Sequence, residues 1–117
     1  MAELAEPLPP AVAATLNALL TAENPVGSAL RAQIPYAHVV GGCGCGCATV
    51  DLAVDREAVP PAPTRSDGLA ADAWYVTPDD AGVMVFTQGG YLSLLEIYSA
   101  APEPVTAWPE PRFVERA

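Results

Sequence analysis

The spacing of hydrophobic positions changes once along this chain. Across residues 11–22, Val12, Leu16, Leu19 and Leu20 fall at i, i+4, i+7 and i+8, the one-sided repeat of an amphipathic helix. Pro9 and Pro10 suit its start, because the first helical position needs no N–H. Asn24 followed by Pro25 supplies an N-cap and a first helical residue for a second helix. In that segment Val26, Leu30 and Ile34 recur every fourth residue, and Pro35 predicts its end.

Beyond Pro35 the period is two. Residues 36–40 are β-branched and aromatic enough for a strand. In residues 49–54, Val50, Leu52 and Val54 alternate with Thr49, Asp51 and Ala53. Residues 55–71 hold Pro60, Pro61, Pro63 and Ser66-Asp67-Gly68, a composition that predicts a long mobile loop. Residues 73–77 and 83–87 read as strands across a turn at 78–82. Gln88-Gly89-Gly90 is a second turn, since glycine supplies the positive φ of tight hairpins. Residues 91–99 complete a three-strand meander. Pro102, Pro104, Pro109 and Pro111 oppose regular pairing in the tail 100–117, with Trp108 and Phe113 expected to pin it to the body. The prediction is one α+β domain over residues 1–117, with residues 1–8 as a frayed leader. Two short N-terminal helices pack on one face of an antiparallel sheet of about five strands, and the other face is left free to meet solvent.

Composition narrows what that fold could do. The 117 residues carry 14 Asp and Glu against 5 basic residues, a formal net charge of -9. All five basic residues are arginines, scattered along the chain, and lysine is absent, which excludes lysine chemistry and points to a GC-rich genome. This balance repels phosphate backbones and anionic lipid, so neither nucleic acid nor a membrane is an expected partner. A basic protein is. No stretch approaches the ~20 apolar residues of a membrane span, and the early glutamates and prolines do not suit a signal peptide. The odd number of closely spaced cysteines fits a cytoplasmic protein better than a disulfide framework.

One segment is chemically unusual: Gly41-Gly42-Cys43-Gly44-Cys45-Gly46-Cys47. Cysteines at every second position project to one side of an extended chain, and the glycines between them add no bulk. Cys43, Cys45 and Cys47 could therefore offer three thiolates to zinc or another soft metal, with His38 or Asp51 as a fourth ligand. Zinc sites, however, usually draw ligands from two separated segments. A glycine-rich turn with small buried thiols, or a Cys43–Cys47 redox pair, reads the same residues differently. His38, the only histidine, is an ordinary strand residue on the simplest reading. Nothing arranges a base beside a nucleophile, and no GxSxG, P-loop or HExxH pattern occurs, so an enzyme is not expected.

Strand parity places Glu96 with Leu92, Leu94 and Tyr98, opposite Leu95 and Ile97. On a buried face its carboxylate would need Arg31 or Arg112. On an open face it would join Trp74, Tyr75, Tyr91, Tyr98, Asp79 and Asp80 in an aromatic and acidic partner-binding surface. The segments Asn24-Pro25-Val26 through Leu30-Arg31-Ala32-Gln33-Ile34, Cys43-Gly44-Cys45-Gly46-Cys47-x-x-Val50-Asp51-Leu52 and Gly90-x-Leu92-x-x-Leu95-Glu96-Ile97-Tyr98 resemble those of uncharacterised small actinobacterial proteins. That resemblance covers about half of the chain and implies the fold without implying an activity. In size and acidity the chain is also similar to immunity proteins that neutralise bacterial toxins. The expected function is therefore non-catalytic protein binding, as an immunity-type or regulatory inhibitor. The alternative is a small metal-binding protein using the cysteine segment.

Overall fold

A computed structural model describes residues 8–21, 23–42, 48–63, 68–75, 81–99, 107–110 and 114–116. Helix α1 spans Pro10–Leu19, with Pro9 at its N-cap. It ends earlier than residue 22 because Leu20 leaves helical geometry while its N–H still reaches Leu16 O at 2.9 Å. The Leu20 carbonyl freed there accepts from Arg31 Nη1 at 2.7 Å, so the second helix caps the first. Helix α2 spans Pro25–Gln33 and opens as the sequence indicates, with Asn24 Oδ1 accepting from Gly27 N at 2.8 Å. Pro35 does not break the chain abruptly. It lies within a 3-10 turn, Ile34–Tyr36, that leads straight into the sheet.

The strands are β1 (Ala37–Gly42), β2 (Val50–Val54), β3 (Gly68–Tyr75), β4 (Ala81–Gln88), β5 (Tyr91–Ser99) and β6 (Val114–Arg116). They form one antiparallel sheet in the order β1-β2-β5-β4-β3-β6. The fold class is α+β, as the periodicity switch predicts. The tail departs from expectation: past Pro111, the last proline, pairing resumes and β6 runs beside β3. Trp108 packs half-buried against the core, and Phe113 lies outside the described residues.

Residues 55–63 and 68–71 also depart from the long loop expected over 55–71. Gly68 to Ala71 already belong to β3. Upstream, Val59 and Ala62 are buried in the core. Ala62 N donates to Gly90 O at 2.8 Å, and Tyr91 Oη donates to Val59 O at 3.2 Å. The prolines here stiffen a segment laid over the β4–β5 turn.

Both helices cover a single sheet face. Val12, Leu16, Leu19 and Leu30 meet Val83, Val85, Leu95 and Ile97 in one buried cluster. Gln33 is wholly buried among them. Its amide donates to Gly90 O at 2.9 Å, and its Oε1 accepts from Leu92 N at 2.9 Å. A single side chain thus ties α2 to the β4–β5 hairpin. In that hairpin Gly89 and Gly90 have φ of 63° and 85°, the paired positive values of a tight turn.

Candidate functional site: the outer face of the sheet

The face turned away from the helices is set by pairing register. Trp74 of β3 is opposite Gly82 of β4, which is opposite Tyr98 of β5. One step along, Asp72 faces Met84, and Met84 faces Glu96. In the next row Leu69 faces Phe86, Phe86 faces Leu94, and Leu94 faces Asp51 of β2. Three adjacent rows thus bring aromatic, thioether and aliphatic groups onto one surface with carboxylates among them.

Glycine makes the first row possible. A Cβ on Gly82 would run into the Cζ and Oη atoms of Tyr98, so the tyrosine ring lies across bare backbone. From there it meets Trp74 edge to face, with ring centroids 5.8 Å apart and planes at 73°. Trp74 still exposes 48% of its surface, and Leu69 exposes 54%. Met84, Phe86, Leu94, Glu96 and Tyr98 are half-buried, and Asp72 and Asp51 are exposed.

The residues expected to form one surface are only partly brought together. Trp74, Glu96 and Tyr98 share the outer face. Tyr75 and Tyr91 do not: they are 3% and 8% exposed, Tyr75 on the inner side of the sheet and Tyr91 covered by the 55–63 segment. Tyr75 follows Trp74 and so points the other way. Its hydroxyl is buried with no hydrogen-bond partner among the described residues. Burial pushes its pKa up, the larger effect, against a smaller lowering by the Thr15 side chain beside it. Tyr91 carries the Arg56 guanidinium 4.5 Å from its ring centroid, a cation–π contact that holds the 55–63 segment down. Asp79 and Asp80 lie outside the described residues.

Leu92 departs from simple parity. Leu92 pairs with Thr87 and Leu94 with Phe86, leaving Ser93 as an extra residue. That bulge turns Leu92 into the core while Leu94, Glu96 and Tyr98 keep the outer face. Of the two arginines weighed for Glu96, Arg31 donates to Leu20 O and Ser28 Oγ on the helical side, and Arg112 lies outside the described residues. Leu94 joins Glu96 and Tyr98 as strand parity indicates, and Asp72, Gly82, Met84 and Phe86, not singled out from sequence, complete the face. Their signal was the alternation of Gly82, Met84 and Phe86 with Val83, Val85 and Thr87.

Cys43, Cys45 and Cys47 lie outside the described residues, within the connection from β1 to β2. The strand ends flanking it are placed, with Gly42 paired to Val50 and Gly41 to Asp51. His38 pairs with Ala53, about 13 Å along the strand from Gly42 at ~3.3 Å per residue. The Asp51 carboxylate lies against Gly41, where an added Cβ would sit 2.9 Å from Oδ2. Of the two fourth ligands considered, register thus puts Asp51 nearer the cysteine connection. Among the described residues no three His, Cys, Asp or Glu side chains come together as a metal-binding group. No helix among them is long and apolar enough to cross a membrane.

Comparison with family models, curated proteins and solved structures finds no match to this chain.

Proposed function

We propose that this chain is a non-catalytic acidic binding protein that engages a basic protein partner through the outer face of its sheet. An immunity-type or regulatory inhibitor is its most concrete form. The observation carrying this reading is the row Trp74–Gly82–Tyr98 beside the row Asp72–Met84–Glu96. Half-exposed aromatics of this kind supply most of the energy in protein interfaces. The carboxylates around them, on a body of net charge -9, would steer a cationic surface to that face. The helices pack on the opposite face, and among the described residues the outer face keeps Trp74 and Leu69 about half exposed.

The test is affinity capture from the native host with the wild-type chain and with Trp74→Ala and Glu96→Lys variants whose fold is verified by circular dichroism. A stoichiometric basic protein, retained by wild type and lost by both variants, supports the reading. Capture indifferent to both substitutions would overturn it.

The cysteine segment supports a second reading, a soft-metal site using Cys43, Cys45 and Cys47 with Asp51 in preference to His38. It rests on thiol spacing and on the placement of Asp51 beside the β1–β2 connection. Native mass spectrometry after chelator-free purification checks it. An apo mass for wild type would remove it, and a bound ion lost on Asp51→Asn but kept on His38→Ala would support it.

A further inference from the structure

We propose that Trp74, Tyr98, Asp72 and Glu96 form a seat for an arginine side chain projecting from the partner. This rests on the preceding reading that the outer face docks a basic protein, and it specifies the chemistry of that contact. The four residues occupy the corners of a rectangle on one sheet face. Trp74 and Asp72 are two residues apart on β3, Tyr98 and Glu96 two apart on β5, with Gly82 and Met84 between them on β4. Same-face neighbours along a strand lie roughly 7 Å apart at ~3.3 Å per residue. A guanidinium resting on an aromatic ring can therefore reach a carboxylate in the next row.

Several features select arginine. Trp74 meets Tyr98 edge to face and keeps 48% of its surface exposed, so aromatic surface is left for a further group to stack on. Tryptophan is the best cation–π acceptor, and a planar, weakly hydrated guanidinium stacks on it better than an ammonium. Carboxylates in the adjacent row offer the paired oxygens that match the guanidinium fork. The chain does not fill the seat with either arginine whose side chain is described. Arg31 bonds Leu20 O and Ser28 Oγ, and Arg56 lies over Tyr91. Met84, between the two carboxylates, gives the aliphatic part of an arginine stem an apolar surface.

The experiment uses the whole chain, labelled with 15N, in which Trp74 and Trp108 each give an indole N–H signal. Trp74→Phe assigns them. Three short peptides are titrated, identical except for one central residue: arginine, lysine or citrulline, the last being a neutral isostere of arginine. The expected result is saturable movement of the Trp74 signal with the arginine peptide, while the Trp108 signal stays in place. Binding should be at least five-fold weaker for lysine and weaker still for citrulline. The double variant Asp72→Asn with Glu96→Gln, near-isosteric and on the solvent side, should lower arginine-peptide affinity about ten-fold. Equal responses to arginine and citrulline, or no change in the double variant, would overturn the seat. Failure here with capture of a basic host protein through the face intact removes the arginine seat and leaves the functional reading standing. An arginine-selective Trp74 response with no host protein captured does the reverse.

Discussion

Removing the Gln33 amide would strand the Leu92 N–H, while the Gly90 carbonyl would keep the Ala62 N–H. Each buried, unpaired backbone group costs about 1–3 kcal/mol. Gln33→Leu nearly preserves volume and is expected to lose about 1–3 kcal/mol, read as a lower urea midpoint with an unchanged slope. Tyr75 presents the opposite case. Its hydroxyl is already buried with no partner among the described residues, so Tyr75→Phe should be neutral or stabilising by up to ~1 kcal/mol. The same substitution changes the alkaline limb of stability. Burial raises the folded-state pKa of Tyr75 above the ordinary value of about 10. The unfolded chain therefore releases this proton first as pH rises. The stability held by the protonated phenol is complete below about pH 10 and drains away as pH climbs through the higher folded value. Urea titrations at pH 8 and near pH 11 should show the advantage of Tyr75→Phe growing with pH. An advantage that shrinks would mean the hydroxyl finds a partner that favours its ionised form.

At the scale of elements, the β4–β5 turn separates two glycines that look alike in sequence. Gly89 has φ of 63°, and the nearest atom to an added Cβ is the Arg56 guanidinium at 3.8 Å. Gly90 has φ of 85°, and an added Cβ would sit 2.7 Å from Pro61 Cβ and 2.8 Å from Ala62 O. Gly89→Asn should therefore cost less than about 1 kcal/mol, because asparagine tolerates the left-handed region. Gly90→Ala should cost more than about 2 kcal/mol by adding steric conflict to backbone strain. Thermal melts of the two variants check the order, and equal losses would mean that the 55–63 segment yields to the new methyl. This contrast shows where the sequence is legible. The turn itself, the Asn24 cap, both helices and the β3–β4–β5 meander follow from local rules of spacing, capping and positive φ. The packing of Pro61 and Ala62 over the turn does not, because it joins residues far apart in the chain. The same holds for β6, hidden behind prolines whose constraint ends at Pro111, and for the Ser93 bulge, which moves Leu92 inward against strict alternation. The candidate site was legible only in part, for a related reason. Parity separates Trp74 from Tyr75 once the face is known, but only the register across β3, β4 and β5 shows that Trp74, Gly82 and Tyr98 share a row.

For the whole molecule, charge and the outer face act in opposite directions on self-association. With a net charge of -9, copies repel one another at neutral pH even though Leu69 and Trp74 leave apolar surface open. Near the isoelectric point of about 4.2 that repulsion vanishes, and the patch becomes the natural place for copies to meet. Salt acts through the same charges. It screens the pull on a basic partner, so partner association should slow as ionic strength rises from low values toward physiological ones, where the Debye length is ~8 Å. Copy-to-copy contact should gain under those conditions. Light scattering at pH 7 and at pH 4.2, with circular dichroism confirming that the sheet persists, measures this directly. Wild type is expected to scatter several-fold more at the lower pH, and the double variant Leu69→Ser with Trp74→Ser should suppress most of that rise. Both side chains are about half exposed, so the double variant should keep its unfolding free energy to within roughly 2 kcal/mol. If it scattered as strongly as wild type while still folded, the adhesive surface would lie elsewhere, and the outer sheet face would lose its standing as the place where this protein meets others.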